Sequence, residues 1–260
     1  MSFLDHLEIL RWHLIRSGIA ILILSILAFI FKEIIFDAIL LAPKDPNFLT
    51  YRFLCNISQG LGLGDALCIK ESPFSLMNIN MAGQFSTHLM TSIYAGFILA
   101  FPYVFWEIWR FILPALKEKE TKVTRGVVFF SSLLFLTGVT FGYYVIAPLS
   151  INFLGSYQVS QTVANQISLT SFVSTVTTIS LANGIIFELP ILVYFLTKIG
   201  LLTPEFMRTY RRHAMVITLI LSAIITPPDI TSQILVSFPL IILYEISIQI
   251  SKAIVKKNNL

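Results

Sequence analysis

Residues 181–196 read LANGIIFELPILVYFL, and the reading of the fold depends on where that stretch is placed. Glu188 is its one charged residue, and Pro190 follows two positions later. A carboxylate facing lipid costs several kcal/mol, so an acid in such a run faces a protein interior or a wet cavity. Two roles suit it: a functional carboxylate, or a protonated glutamic acid that hydrogen-bonds two helices together.

The composition puts the stretch in a membrane. Hydrophobic residues make up 56% of the 260, charged ones only 12%, and the mean hydropathy is +0.81, far more apolar than a soluble domain. Long apolar stretches fall at 17–31, 85–109, 126–147, 172–197, 214–226 and 230–250, against the roughly 20 residues that a spanning helix needs. The expectation is an all-α polytopic membrane protein with six transmembrane helices. The fifth stretch would rise only about 20 Å against a core of about 30 Å, so helices five and six are expected to form a short hairpin. Pro102, Pro190 and Pro239 lie within spans. Each removes a helix hydrogen bond, which predicts kinked helices around a concave surface.

Orientation follows from lysine and arginine. Arg11 and Arg16 precede helix one; Lys117, Lys119, Lys122 and Arg125 separate helices two and three. Arg208, Arg211 and Arg212 precede helix five, and Lys252, Lys256 and Lys257 follow helix six. The connections between helices three and four and between five and six have neither residue, so both termini are expected in the cytoplasm. Basic residues split among four short segments do not form a nucleic-acid face. Asp5 and Glu8 precede helix one and no small-residue cleavage site follows Phe31, so that helix is expected to stay as an anchor.

One membrane domain over 1–260 is expected, with an extracytoplasmic cap at 37–84. Pro43, Pro46 and the glycines of 60–64 mark turns, and 77–86 is expected to begin a helix that runs into helix two. Cys55 and Cys68, the only cysteines, both fall in this segment. They are either bridged, which would contribute about 3 kcal/mol, or free and packed.

Enzyme signatures are weak. His6, His13, His88 and His213 have no metal-ligand spacing, and no HExxH, GxSxG or nucleotide-cradling loop occurs. The histidines read as interfacial or core residues. No catalytic residue, metal or cofactor is implied, and energy must come from a transmembrane potential or a partner ATPase. Glu107 and Glu245 lie near the cytoplasmic ends of their helices, where snorkelling accommodates them. Glu188 is deeper, about 13 Å from Thr197 along its helix.

Five motifs then occur in one order: His6-Leu7-Glu8-Ile9-Leu10-Arg11, Pro73-Phe74, Phe101-Pro102 with Trp109-Arg110-Phe111-Ile112-Leu113-Pro114-Ala115-Leu116, Phe187-Glu188-Leu189-Pro190, and Thr226-Pro227-Pro228-Asp229. In these the chain resembles the TatC family, core subunits of the twin-arginine protein translocase. The resemblance implies a receptor in the bacterial cytoplasmic (inner) membrane that binds twin-arginine signal peptides of folded cargo, with transport driven by the proton motive force. It implies that Glu120 pairs with the peptide arginines, aided by Glu118, in charge-assisted and bidentate contacts. Arg11 matches the arginine of the N-terminal motif. Ile9 stands where the family usually has Glu, and Glu8 lies about 100° around the helix from that position. Either Glu8 compensates by a local rotation, or the site relies on Glu120 alone. Thr121 stands where an arginine often follows, and Glu107 where relatives often have Gln.

Single-span partners resembling TatA and TatB are expected to hydrogen-bond to Glu188, or to Glu107 and Gln233, at about 1 kcal/mol each. Pro73, Phe74, Pro114, Pro190, Pro227 and Asp229 carry structural roles within the motifs. The short hairpin would let the bilayer thin where cargo passes, and self-association is a further option. Two other classes stay open: a proton-coupled secondary transporter using the intramembrane Glu, which usually carries repeated halves not seen here, and a scaffold for other membrane proteins.

Overall fold

The computed structural model describes residues 3–62, 64–65, 68–69, 74–112, 124–160, 162, 165–226 and 230–258. Helix α1 (Phe3–Ile30) and helix α3 (Gly83–Ile112) are separated by a π-helical turn at Ile34–Leu40, a 3-10 turn at Ala42–Lys44, helix α2 (Leu49–Gly60) and strand β1 (Ser75–Met77). Helix α4 (Thr124–Phe141) continues through a π-helical segment, Gly142–Ile146, into helix α5 (Ala147–Ser156). After strand β2 (Gln166–Ser168) come helices α6 (Leu169–Ile186), α7 (Leu189–Lys198), α8 (Pro204–Thr209), α9 (Arg211–Ile225) and α10 (Ile230–Asn258).

Among the described residues, five stretches are long and apolar enough to cross a membrane: Glu8–Ile30, Gly83–Ile112, Gly126–Ser156, Leu169–Lys198 and Ser232–Lys256. Helical bonds satisfy most of their backbone groups, which lipid cannot do, and proline leaves exceptions that other segments must answer. The 15-residue α9 is not among them; it rises about 22 Å, as its short apolar run predicts. The sixth helix corrects the expectation of a hairpin with two short arms. α10 has 29 residues, because nothing in the polar stretch after Ile250 stops the helix.

Helix α1 packs along α3 at one edge, α3 meets α4 and α6, α7 packs on α10, and α10 carries α9. Most large side chains of α1 face outward, among them Leu22, Ile23, Ile26 and Ile30, as suits a helix whose outer surface meets hydrocarbon rather than water. The main core gathers Phe74, Ile146, Ile151, Phe172, Val176, Val236 and Leu240. A smaller one joins Val193, Met207 and Ile248.

The helix ends sort into two sets. At one, Thr197 Oγ1 donates to Ser251 Oγ at 3.0 Å, the Tyr244 hydroxyl donates to Met207 O at 2.8 Å, and Arg211 pairs with Glu245 at 2.5 Å. At the other, Ser150 Oγ donates to Ser232 Oγ at 2.8 Å, and β1 pairs in parallel with β2, Leu76 opposite Ile167. That pairing displaces the helix expected from residue 77: Ser75–Met77 is a strand, and α3 starts at Gly83.

The segment between α1 and α3 is held at this second end by a proline. Pro148 has no N–H to return to Tyr144 O four residues back, and Thr50 Oγ1 donates to that freed carbonyl instead. The Tyr51 hydroxyl lies 2.8 Å from Pro148 O and 3.0 Å from Pro43 O, and burial pushes its pKa well above the usual tyrosine range, so it stays a donor. Phe48 stacks on Tyr144 with centroids 5.6 Å apart. Cys55 and Cys68 are bridged across a sequence separation of 13, a loop closure that contributes about 3 kcal/mol by restricting the unfolded chain.

Thr50→Val keeps the shape and removes the donor to Tyr144 O. The expected cost is about 1–3 kcal/mol, read as a lowered unfolding midpoint in detergent, together with faster proteolysis between residues 41 and 74.

Candidate functional site

The chain breaks its fourth span at Phe187-Glu188. α6 ends at Ile186, and Pro190 sits in the first turn of α7 without an N–H to donate. Local bonds close the gap: Phe187 N donates to Asn183 O at 3.0 Å, Glu188 N to Ile185 O at 3.1 Å, and Ile191 N to Glu188 O at 3.0 Å. Pro102 and Pro239, by contrast, lie inside uninterrupted α3 and α10. Of the three prolines, only Pro190 interrupts its helix.

Glu188 is the N-cap residue of α7, yet its side chain makes no cap bond. It reaches α4, where fully buried Ser131 donates through Oγ to Oε2 at 2.8 Å. Oε1 is buried and has no hydrogen-bond partner among the described residues. A turn away, Asn183 is wholly buried; its Nδ2 donates to Ile179 O at 2.8 Å, and its Oδ1 is likewise without a partner among the described residues.

Glycine brings these groups together. A Cβ on Gly138 would stand 2.6 Å from Asn183 O and 2.8 Å from Phe187 Cβ; one on Gly184 would stand 2.6 Å from Val139 Cγ2. Small residues at these crossings let α4 and α6 approach closely, which sets Ser131 beside Glu188. Nearby, a cavity of about 380 Å³ is lined by Thr91, Tyr94, Val139, Tyr143, Val176 and Ser180, among others.

A second polar cluster lies between α1 and α3, towards the end of the bundle where Thr197 meets Ser251. Glu107, only 2% exposed, meets His13 Nδ1 through Oε2. Arg110 Nη1 is 3.6 Å from its Oε1. Glu107 is thus engaged by neighbours within the chain. At the opposite end of the same helix pair, His88 Nε2 lies 3.1 Å from Phe29 O and its ring stacks on Phe29.

The profile of the TatC family, described as Sec-independent protein translocase protein (TatC), matches residues 5–239. The chain belongs to the TatC family. The TatC of Blattabacterium sp. subsp. Periplaneta americana (strain BPLAN) is 40% identical over 258 residues, covering 99% of this chain and 97% of that one. The TatC of Helicobacter pylori (strain J99 / ATCC 700824) is 44% identical over 163 residues, 63% of this chain and 65% of the relative. A crystal structure of the twin-arginine translocase receptor TatC matches with a TM-score of 0.72 at 34% identity, over 95% of this chain and 98% of that one. The chain is therefore a multi-pass membrane component of the Sec-independent translocase.

Within this TatC fold, Glu8 and Arg11 are exposed on the first turns of α1. Phe74 is buried against Phe172, and Pro190 is fully buried. Gln233 Nε2 donates to Leu219 O at 3.3 Å, at the end of the bundle remote from Glu107. Glu188, Glu107 and Gln233 thus stand at three different depths and do not form one cluster. Glu118, Glu120, Pro73, Pro114, Pro227 and Asp229 lie outside the described residues. Sequence reasoning missed Ser131 and His13 as partners of the two buried acids, since nothing local marks a residue whose partner is 57 or 94 positions away. Among the described residues no group of three or more His, Cys, Asp and Glu is arranged to hold a metal ion.

Two substitutions test this geometry. Ser131→Ala leaves both Glu188 oxygens unpaired within the chain and is expected to cost about 1–3 kcal/mol. Gly138→Leu forces α4 off α6 and is expected to cost at least as much, about 1–3 kcal/mol or more. Both are read from unfolding in detergent.

Proposed function

We propose that this chain is the signal-peptide receptor of a twin-arginine translocase. The observation that carries the reading is the match, over nearly the whole of both chains, to the crystal structure of the twin-arginine translocase receptor TatC. The peptide arginines dock at Glu120, helped by Glu118, while Glu8 and Arg11 on α1 flank the site. Support comes from the His13–Glu107 contact, which holds the start of α1 against the end of α3. Helix α1 therefore begins, and helix α3 ends, at the same end of the bundle.

Arg208, Arg211, Arg212, Lys252 and Lys256 belong to that end as well, and by the positive-inside rule it faces the cytoplasm of a bacterial inner membrane. The segment 37–84 is then the extracytoplasmic cap of a single membrane domain, on the oxidising side where a Cys55–Cys68 bridge persists.

Glu188 serves assembly rather than peptide docking. Glu188 is half-buried rather than enclosed, and its Oε1 has no hydrogen-bond partner among the described residues, which suits a polar residue in the helix of a TatA-like or TatB-like single-span protein once the side chain turns outward; Gln233 offers a second, weaker contact. Bonds worth about 1 kcal/mol each select a register without locking the complex. The chain works by binding, and the proton motive force drives transport.

The test is photocrosslinking of a twin-arginine signal peptide to the reconstituted chain. A probe at residue 120 is expected to capture the peptide, and capture should fall about tenfold or more when its arginine pair becomes lysine, which cannot pair bidentately. Equal capture of both peptides, or none, refutes the receptor reading. Glu188→Gln should leave peptide capture unchanged while reducing co-purification of the single-span partners.

A further inference from the structure

Helix α2 presents its apolar side chains outward. Leu49 is 65% exposed, Phe53 62%, Ile57 38% and Leu61 69%. Spaced four residues apart, Leu49, Phe53 and Ile57 on the helix and Leu61 at its C-cap form one stripe, since a helix advances about 100° per residue. The buried residues, Thr50, Tyr51 and Ser58, are small or bear hydroxyls, the reverse of a helix that packs its apolar face on a soluble core. Arg52, Asn56 and Gln59 are exposed on a third side. The helix therefore has one face for the bundle, one apolar and one polar.

Its level in the fold says what covers the apolar face. α2 is fastened through Thr50 to Tyr144 O and through Tyr51 to Pro148 O. These carbonyls belong to the span Gly126–Ser156. Counted from Gly126, a hydrocarbon core of about 30 Å ends after roughly 20 residues, near Ile146. Phe48, Tyr143 and Tyr144 cluster there, with Phe48 edge-on to Tyr143 at 5.7 Å, the residue types that collect at a membrane–water boundary. The apolar stripe thus starts at the boundary and continues the outward-facing apolar surface of the spans.

We propose that α2 is an interfacial helix whose stripe Leu49, Phe53, Ile57 and Leu61 lies in the headgroup and upper acyl region of the bilayer, with Arg52 towards the lipid phosphates. This reading concerns the lipid surface and does not depend on the receptor function. Buried apolar area supplies the attraction and the polar side stays wet, as in other in-plane amphipathic helices.

The experiment is site-directed spin labelling of the full chain reconstituted in phosphatidylethanolamine–phosphatidylglycerol vesicles. Both native cysteines are bridged, so labels go to single added cysteines at 53, 57 and 59. Power saturation is expected to show oxygen accessibility exceeding that of a water-soluble nickel chelate at 53 and 57, and the reverse at 59. Nickel dominance at 53 and 57 would place the stripe in water and overturn the proposal. Labels there that are immobilised and closed to both reagents would also overturn it, marking a protein interface instead. If either variant fails to fold, labels at 49 and 61 are read by the same criterion.

Discussion

Inside a bilayer every backbone carbonyl must find a donor within the protein, and this constraint organises the chain wherever a proline breaks the helical ladder. Pro148 frees the carbonyl of Tyr144, and a threonine nearly a hundred residues earlier in the sequence answers it. That bond, together with those from Tyr51 to Pro148 O and from Tyr143 to Ile39 O and the stacking of Phe48 on Tyr144, fastens the segment between α1 and α3 to the α4–α5 rod. Pro190 is handled differently. There the chain tightens locally, and the space beside the break is taken by Glu188 and its serine.

The two buried acids illustrate how much context decides. Glu107 pairs with Arg110 on its own helix and with His13 across the interface, which joins α1 to α3. Among the described residues, Glu188 has one donor and a second oxygen left over. An acid whose needs are met internally is structural; one left half-satisfied can exchange partners with little loss, since polar contacts between membrane helices are individually weak. That contrast, more than depth alone, separates the assembly role proposed for Glu188 from the internal role of Glu107.

Much of the framework was legible in the sequence because membrane spans are written locally. The apolar runs located all five long spans, the short run at 214–226 anticipated the 15-residue α9, and Pro190 marked the break. What was not legible required distant pairing. Helix α2 has no apolar run of spanning length, and its inward face carries hydroxyls, so its pattern gave no core signal. Residues 75–77 adopt a strand only because 166–168 lie alongside. The length of α10 was underestimated because hydropathy ends at Ile250 while the helix, with no proline or glycine to stop it, does not. The roles proposed for the acids of the N-terminal motif and of the segment after α3 rest on family resemblance alone; as isolated residues they read as solvated charges.

The clamp between Thr50 and Tyr144 also sets a schedule. The two residues are 94 positions apart, and at a synthesis rate of about 5–20 residues per second the carbonyl emerges roughly 5–20 s after the hydroxyl that will bind it. Throughout that interval α1 and the segment behind it have neither the rod nor its core to pack on. What is available before then is the packing of α1 along α3, helix α2 itself and the short loop closed by Cys55 and Cys68. The early part of the chain must therefore persist as an unclamped intermediate on every ribosome that makes it, and its survival depends on these early elements rather than on the packed architecture they later join.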